Sequence, residues 1–160
     1  MLGLVPLPEP DPQRWREQLV QLLHDMIATM NEHAGIARVA IARIPLGPSS
    51  VRLADTMLAL LDAGGVDGQA AAWAIDLLSL YTTAVAFETS LYRAEGLTEE
   101  QLGPEYEGMR GFFESLPAER FPHVRAMAAQ LTHGSGDQRE RFGIEVLING
   151  LLTTPPSAAG

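Results

Sequence analysis

From Gly68 to Arg93 the chain is apolar around most of a helix's circumference, and Asp67 stands ready to cap it. A helix of that kind is stable only when neighbours cover it on several sides, so the fold has to be a helical assembly built around this segment. The final apolar segment, Phe142 to Leu152, adds a second constraint. It keeps Gly143 and Gly150 in a strong helical pattern, with Leu147 between them. Each interior glycine costs roughly 1 kcal/mol relative to alanine, so the pair predicts close backbone approach by a second helix. We expect that helix to belong to another copy of the chain.

The remaining elements are read from apolar spacing and punctuation. Pro6, Pro8, Pro10 and Pro12 keep the opening stretch extended, and Asp11-Pro12 offers a helix start. From Gln13 to about His33, Trp15, Leu19, Leu22, Leu23, Met26, Ile27 and Met30 recur at helical spacing. A short helix is expected from about Gly35 to Arg43, ending before Pro45. The next, from Ser50 to Ala63, follows the turn Leu46-Gly47-Pro48-Ser49 and stops at Gly64-Gly65. Gly96, Gly103 and Gly108 predict short, mobile helices between about Thr98 and Leu116. A helix from about Phe121 to Leu131 and a last one capped by Asp137 complete the series, and residues from Thr153 onward read as a disordered tail. No alternating strand pattern of useful length occurs, so the predicted class is all-α. The expected organisation is a linker over 1–12, a single domain over 13–153 and a tail over 154–160.

Composition narrows the function. A chain of 160 residues with 46% hydrophobic content is the size of one domain and needs no metal or disulfide to fold. It has no cysteine, which removes thiol nucleophiles and Cys-based zinc sites. A formal charge of -9 repels a nucleic-acid duplex, so this chain alone should not bind DNA. No segment looks long enough to span a membrane and the first residues carry no secretion signal, which predicts a soluble, cytoplasmic protein. Every basic residue is Arg, from which no function follows.

Enzymatic and metal motifs are missing. His24, His33, His123 and His133 include no pair at a spacing that would put two ligands on one helical face. No Gly-x-Ser-x-Gly elbow, phosphate loop or dinucleotide fingerprint is present, and Gly134-Ser135-Gly136 follows no strand. The carboxylates Glu99, Glu100, Glu105 and Glu107 lie on a glycine-interrupted stretch and read as a solvated surface. No cofactor is implied. The polar residues inside the central helix are more telling, since an unpartnered polar group in an apolar layer costs about 1 to 3 kcal/mol. Asp76 and Thr83 share a face with Leu80 and Phe87, and Tyr81 and Glu88 lie beside it. Asp76 is suited either to a ligand hydroxyl or amine, or to pairing with Arg38, Arg43 or Arg52.

The order of these parts resembles the C-terminal ligand-binding and dimerisation domain of tetracycline-repressor (TetR) family regulators. The residues that carry the likeness are Val5-Pro6-Leu7-Pro8 leading into Trp15-Arg16-Glu17-Gln18-Leu19, then Pro45-Leu46-Gly47-Pro48, Phe121-Pro122-His123-Val124, and Phe142-Gly143 with Leu147-Ile148-Asn149-Gly150-Leu151. In that family a helix-turn-helix head precedes this body, and no basic recognition helix is found before Trp15.

The resemblance implies a homodimer made by a four-helix bundle of the central and final helices. For its interface we expect Ala71, Ile75, Ser79, Thr82, Ala86 and Ser90 on the central helix, with Phe142, Gly143, Val146, Leu147 and Gly150 on the final one. It also implies a cavity for a small hydrophobic ligand, lined by Met26, Met30, Met57, Leu61, Trp73, Asp76, Leu77, Leu80, Thr83, Ala84 and Phe87. The function to expect is ligand sensing in a transcriptional repressor whose DNA contacts lie outside this chain. The alternative is a stand-alone helical protein that sequesters or rearranges an apolar metabolite or drug, with Asp76, Tyr81 and Glu88 as acid or base candidates.

Overall fold

The computed structural model describes residues 2–33, 35–41 and 46–154. Its elements are a 3-10 turn at Leu2–Leu4 followed by α1 (Trp15–Asn31), α2 (Ile36–Ile41), α3 (Pro48–Ala63), α4 (Gly68–Ala94), α5 (Glu99–Ser115), α6 (Pro122–Ala126), α7 (Ala128–Leu131) and α8 (Gly136–Thr153). No strand occurs among the described residues, and the protein is all-α.

Local chemistry explains most of the boundaries. Asp11 accepts from the Gln13 amide at 2.9 Å, making the turn that precedes α1. Helix α3 begins at Pro48, two residues earlier than the spacing suggested, because proline's fixed φ suits the first helical position after Gly47. Asp67 caps α4 as expected, accepting from the Gln69 amide at 2.9 Å. Gly96, at φ 72°, turns the chain out of α4.

Three expectations are corrected. The stretch from Thr98 to Leu116 forms one continuous helix, since Thr98 and Gln101 satisfy each other's backbone amides in a capping box that nucleates it. The segment from Phe121 to Leu131 is two short helices broken at Met127, whose ψ of 13° leaves the helical range. The cap of α8 is Ser135, whose hydroxyl accepts from the Gln138 amide while Gln138 accepts from the Ser135 amide. Asp137 instead lies in the first turn, where its charge complements the helix dipole. The expected ends at Ala42–Pro45 and the tail from residue 155 lie outside the described residues.

The chain forms two compact units. One comprises Met1–Leu91 with Phe142–Gly160, the other Tyr92–Arg141. In the first, α1 packs on α3, and the core is Leu19, Leu22, Leu23, Met26 and Ile27 of α1 against Leu53, Met57, Leu60 and Leu61 of α3. Ala70, Ala71, Ala74, Leu78 and Ala86 of α4 and Ile144 and Ile148 of α8 complete it. The opening segment is more than a linker, because Val5 is only 5% exposed and Leu7 packs against the same core. In the second unit α5 packs on α6 and α7, with Leu102 and Ala128 buried.

Two glycines make close packing possible. A β-carbon on Gly64 would lie 2.6 Å from Cδ2 of Trp15, so the indole can settle on the end of α3 only over glycine. One on Gly143 would collide with the hydroxyl and Cζ of Tyr81.

Candidate functional site

Helix α4 carries two apolar faces. Ala70, Ala71, Ala74, Leu78, Thr82, Thr83 and Ala86 are buried, and their small size lets the helix sit close to the core. On the other side Trp73, Leu77, Leu80 and Leu91 are 55%, 44%, 49% and 51% exposed. Ala84 is exposed with them. Helix α8 behaves likewise, burying Ile144 and Ile148 while Phe142, Val146 and Leu152 stay exposed. Both faces belong to the first unit, and scattered single apolar residues would need no explanation, but these recur at helical spacing along two helices.

This arrangement reverses the expected assignment of α4. Ala71, Thr82 and Ala86, expected at a subunit interface, are buried inside the chain; Thr82 donates to the Leu78 carbonyl at 2.9 Å and so adds no unpaired polar group. Ile75, Ser79 and Ser90 are half-buried. Conversely Trp73, Asp76, Leu77, Leu80 and Ala84, expected to line a cavity, lie on the exposed face, and Phe87 is half-buried at its edge. The reason is that small side chains favour close approach within a subunit as much as between subunits. Apolarity all round the helix left its two sides indistinguishable.

Gly143 needs correction too. The helix pressing on it is α4 of the same chain, through Tyr81. At Gly150 no atom of the described residues lies within 4 Å of where a β-carbon would be. Leu147 is half-buried against the core.

The rest of the expected ligand set is interior. Met26, Met30, Met57 and Leu61 are 4%, 4%, 1% and 0% exposed, and Thr83 is 8%. The methionines and Leu61 belong to the core that α1 and α3 share. Asp76 forms no ion pair with Arg38 or Arg52, while Arg43 lies outside the described residues. Asp76 and Glu88 are exposed and Tyr81 is turned toward Gly143, so the three do not converge as an acid–base set. Among the described residues no group of three or more His, Asp or Glu could hold a metal ion.

A feature not foreseen is an open groove of about 430 Å³ between the opening segment and α1, lined by Pro6, Leu7, Pro8, Arg14, Glu17, Gln18, Gln21, Leu22 and Asp25. Its outer wall is held by Gln18, which donates to the Glu9 carbonyl at 2.7 Å and accepts from the Asp11 amide at 2.9 Å. Its prolines contribute no N–H, so the segment leans on Gln18 for part of its hydrogen bonding.

Among the described residues one helix is long and apolar enough to cross a membrane by length and composition, as the core helix of a soluble protein also is. Helix α4 has 27 residues, and an 18-residue window of it reaches a mean hydropathy of 1.4 with only 39% buried. Its composition follows from the two apolar faces, one packed on the core and one left uncovered.

Residues 7–154 match the model of the tetracyclin repressor-like C-terminal domain. Among solved structures, ActR of Streptomyces coelicolor in complex with actinorhodin is 36% identical, with a TM-score of 0.84 over 99% of this chain and 72% of that one. Apo ActR is 35% identical, TM-score 0.80, over 94% and 69%. A putative transcription regulator of Streptomyces, SCO7704, is 28% identical, TM-score 0.78, over 99% and 71%. No curated protein matches the chain. The chain therefore belongs to the TetR-like regulators and spans their C-terminal, ligand-binding domain. The rest of each relative has no counterpart in these 160 residues.

Proposed function

We propose that this chain is the ligand-sensing and self-associating module of a TetR-type transcriptional repressor, working in the cytoplasm, binding a small hydrophobic molecule and contacting DNA only through a separate head. The observation that carries the reading is the likeness to ActR along nearly the whole chain, because ActR has been crystallised with actinorhodin and with (S)-DNPA. The buried methionines Met26, Met30 and Met57 support an adaptable apolar receptor, since thioethers repack around irregular ligands at small cost. Thr83 supplies a polar point at its edge. Ligand enters this interior by parting α1 from α4, and its higher affinity for the parted arrangement is what shifts the population.

Self-association uses the exposed faces of α4 and α8, with Trp73, Leu77, Leu80, Phe142 and Val146 covered by the second copy and Gly150 allowing its close approach. The catalytic alternative finds no support in the placement of Asp76, Tyr81 and Glu88. Thermal unfolding with actinorhodin tests the receptor: a rise in Tm that grows with ligand concentration, and that shrinks in Met57→Ala, is expected. An unchanged Tm with actinorhodin and with (S)-DNPA would remove an ActR-like ligand from the account.

A further inference from the structure

The first turn of α1 has no side-chain N-cap and is led in by the Asp11 turn alone. Its N-cap is Arg14, which makes no side-chain capping hydrogen bond, so the opening amides of the helix have no such partner. The turn is held by side chains that reach elsewhere. Gln18 grips the opening segment, at the Glu9 carbonyl and the Asp11 amide. Arg16 grips α8, donating through Nη2 to Asn149 Oδ1 at 2.9 Å and to the Glu145 carboxylate. Trp15 rests over Gly64. Immediately below, Leu19, Leu22 and Leu23 are at most 1% exposed, so the turn stands directly on the core.

We infer that this turn is a two-state joint that couples the opening segment to α8. Either the turn is wound, with Gln18 and Arg16 both engaged, or it frays and both grips loosen together. Two residues apart on one short turn, the side chains cannot keep their reach once the backbone between them unwinds. Glu145 and Asn149 lie one helical turn apart on α8, and Val146 of the exposed face sits beside Glu145. The wound state thus fixes the setting of the helix that presents Phe142 and Val146. Movement of the opening segment, the part nearest to where the match to the family begins, is thereby felt at that face. The regulatory consequence rests on the proposed self-association through α8; the joint itself does not.

Residue-resolved amide exchange on the intact chain tests it, comparing Arg16→Met, Gln18→Leu and, as a control for general loosening of the first unit, Leu53→Val. Arg16→Met is expected to speed exchange at Asp11 and Gln13, which it does not touch, by at least about threefold, and Gln18→Leu to do the same over residues 145–149. An effect confined to each substituted residue's own partner would overturn the joint. So would a uniform rise across all amides like that of Leu53→Val. If the wild-type chain proves monomeric, the self-association reading falls while this exchange coupling remains measurable.

Discussion

A methyl group added to Gly143 would run into the hydroxyl and Cζ of Tyr81, whereas one added to Gly150 would meet no atom of the described residues. The sequence shows two equivalent glycines on one helix, and their shared cost of roughly 1 kcal/mol each says only that something approaches. It does not say from which side. Gly143 is accounted for by Tyr81 of the same chain, whereas no described residue crowds Gly150. Gly143→Ala should destabilise the chain by about 1 to 3 kcal/mol through overpacking. Chemical denaturation of Gly143→Ala, Tyr81→Phe and the double variant checks the cause: removing the hydroxyl should recover part of the loss, and strictly additive effects would mean that the contact is not the source. At the same scale, the amide clamp of Gln18 was invisible in the sequence, since a glutamine on an amphipathic helix announces no partner.

Element existence was legible and element orientation was not. The helices expected over α1, α3, α4 and α8 are present, and in α1 and α3 burial against a core imposes the 3.6-residue period directly. For α4 the same logic fails, since an exposed apolar face and a buried one together erase the period. Size then misleads: Trp73, Leu77 and Leu80 resemble core residues, and Ala71 and Ala86 resemble an interface. Helix α5 shows a different conflict, between a strong start and a weak middle. Its capping box is complete, yet Gly103, Gly108 and Gly111 have no neighbour within 4 Å of a β-carbon position, and Pro104 lies inside it. Packing within the chain therefore does not demand these glycines. Gly108→Ala with Gly111→Ala should stabilise α5 by up to about 1 kcal/mol per site and slow amide exchange over residues 105–115. Unchanged exchange would mean that helix propensity does not limit its opening.

For the whole molecule, the account depends on an apolar surface that the chain does not cover by itself. Two neighbouring sets, Trp73, Leu77 and Leu80 on α4 and Phe142, Val146 and Leu152 on α8, leave large side chains in water. The buried side of α4 belongs to the same core as Met26, Met30 and Met57. One helix thus separates the proposed receptor from the proposed interface, so a ligand that displaces α4 alters both at once. Motif order led to the family, but which side of α4 is buried and which is exposed was not legible in its sequence. Sedimentation of the wild-type chain beside Leu80→Glu measures the central claim. A dimer that dissociates on this substitution, with helicity and Tm of the remaining monomer preserved, is the predicted result. A wild-type monomer, or a dimer indifferent to a charge at Leu80, would contradict it.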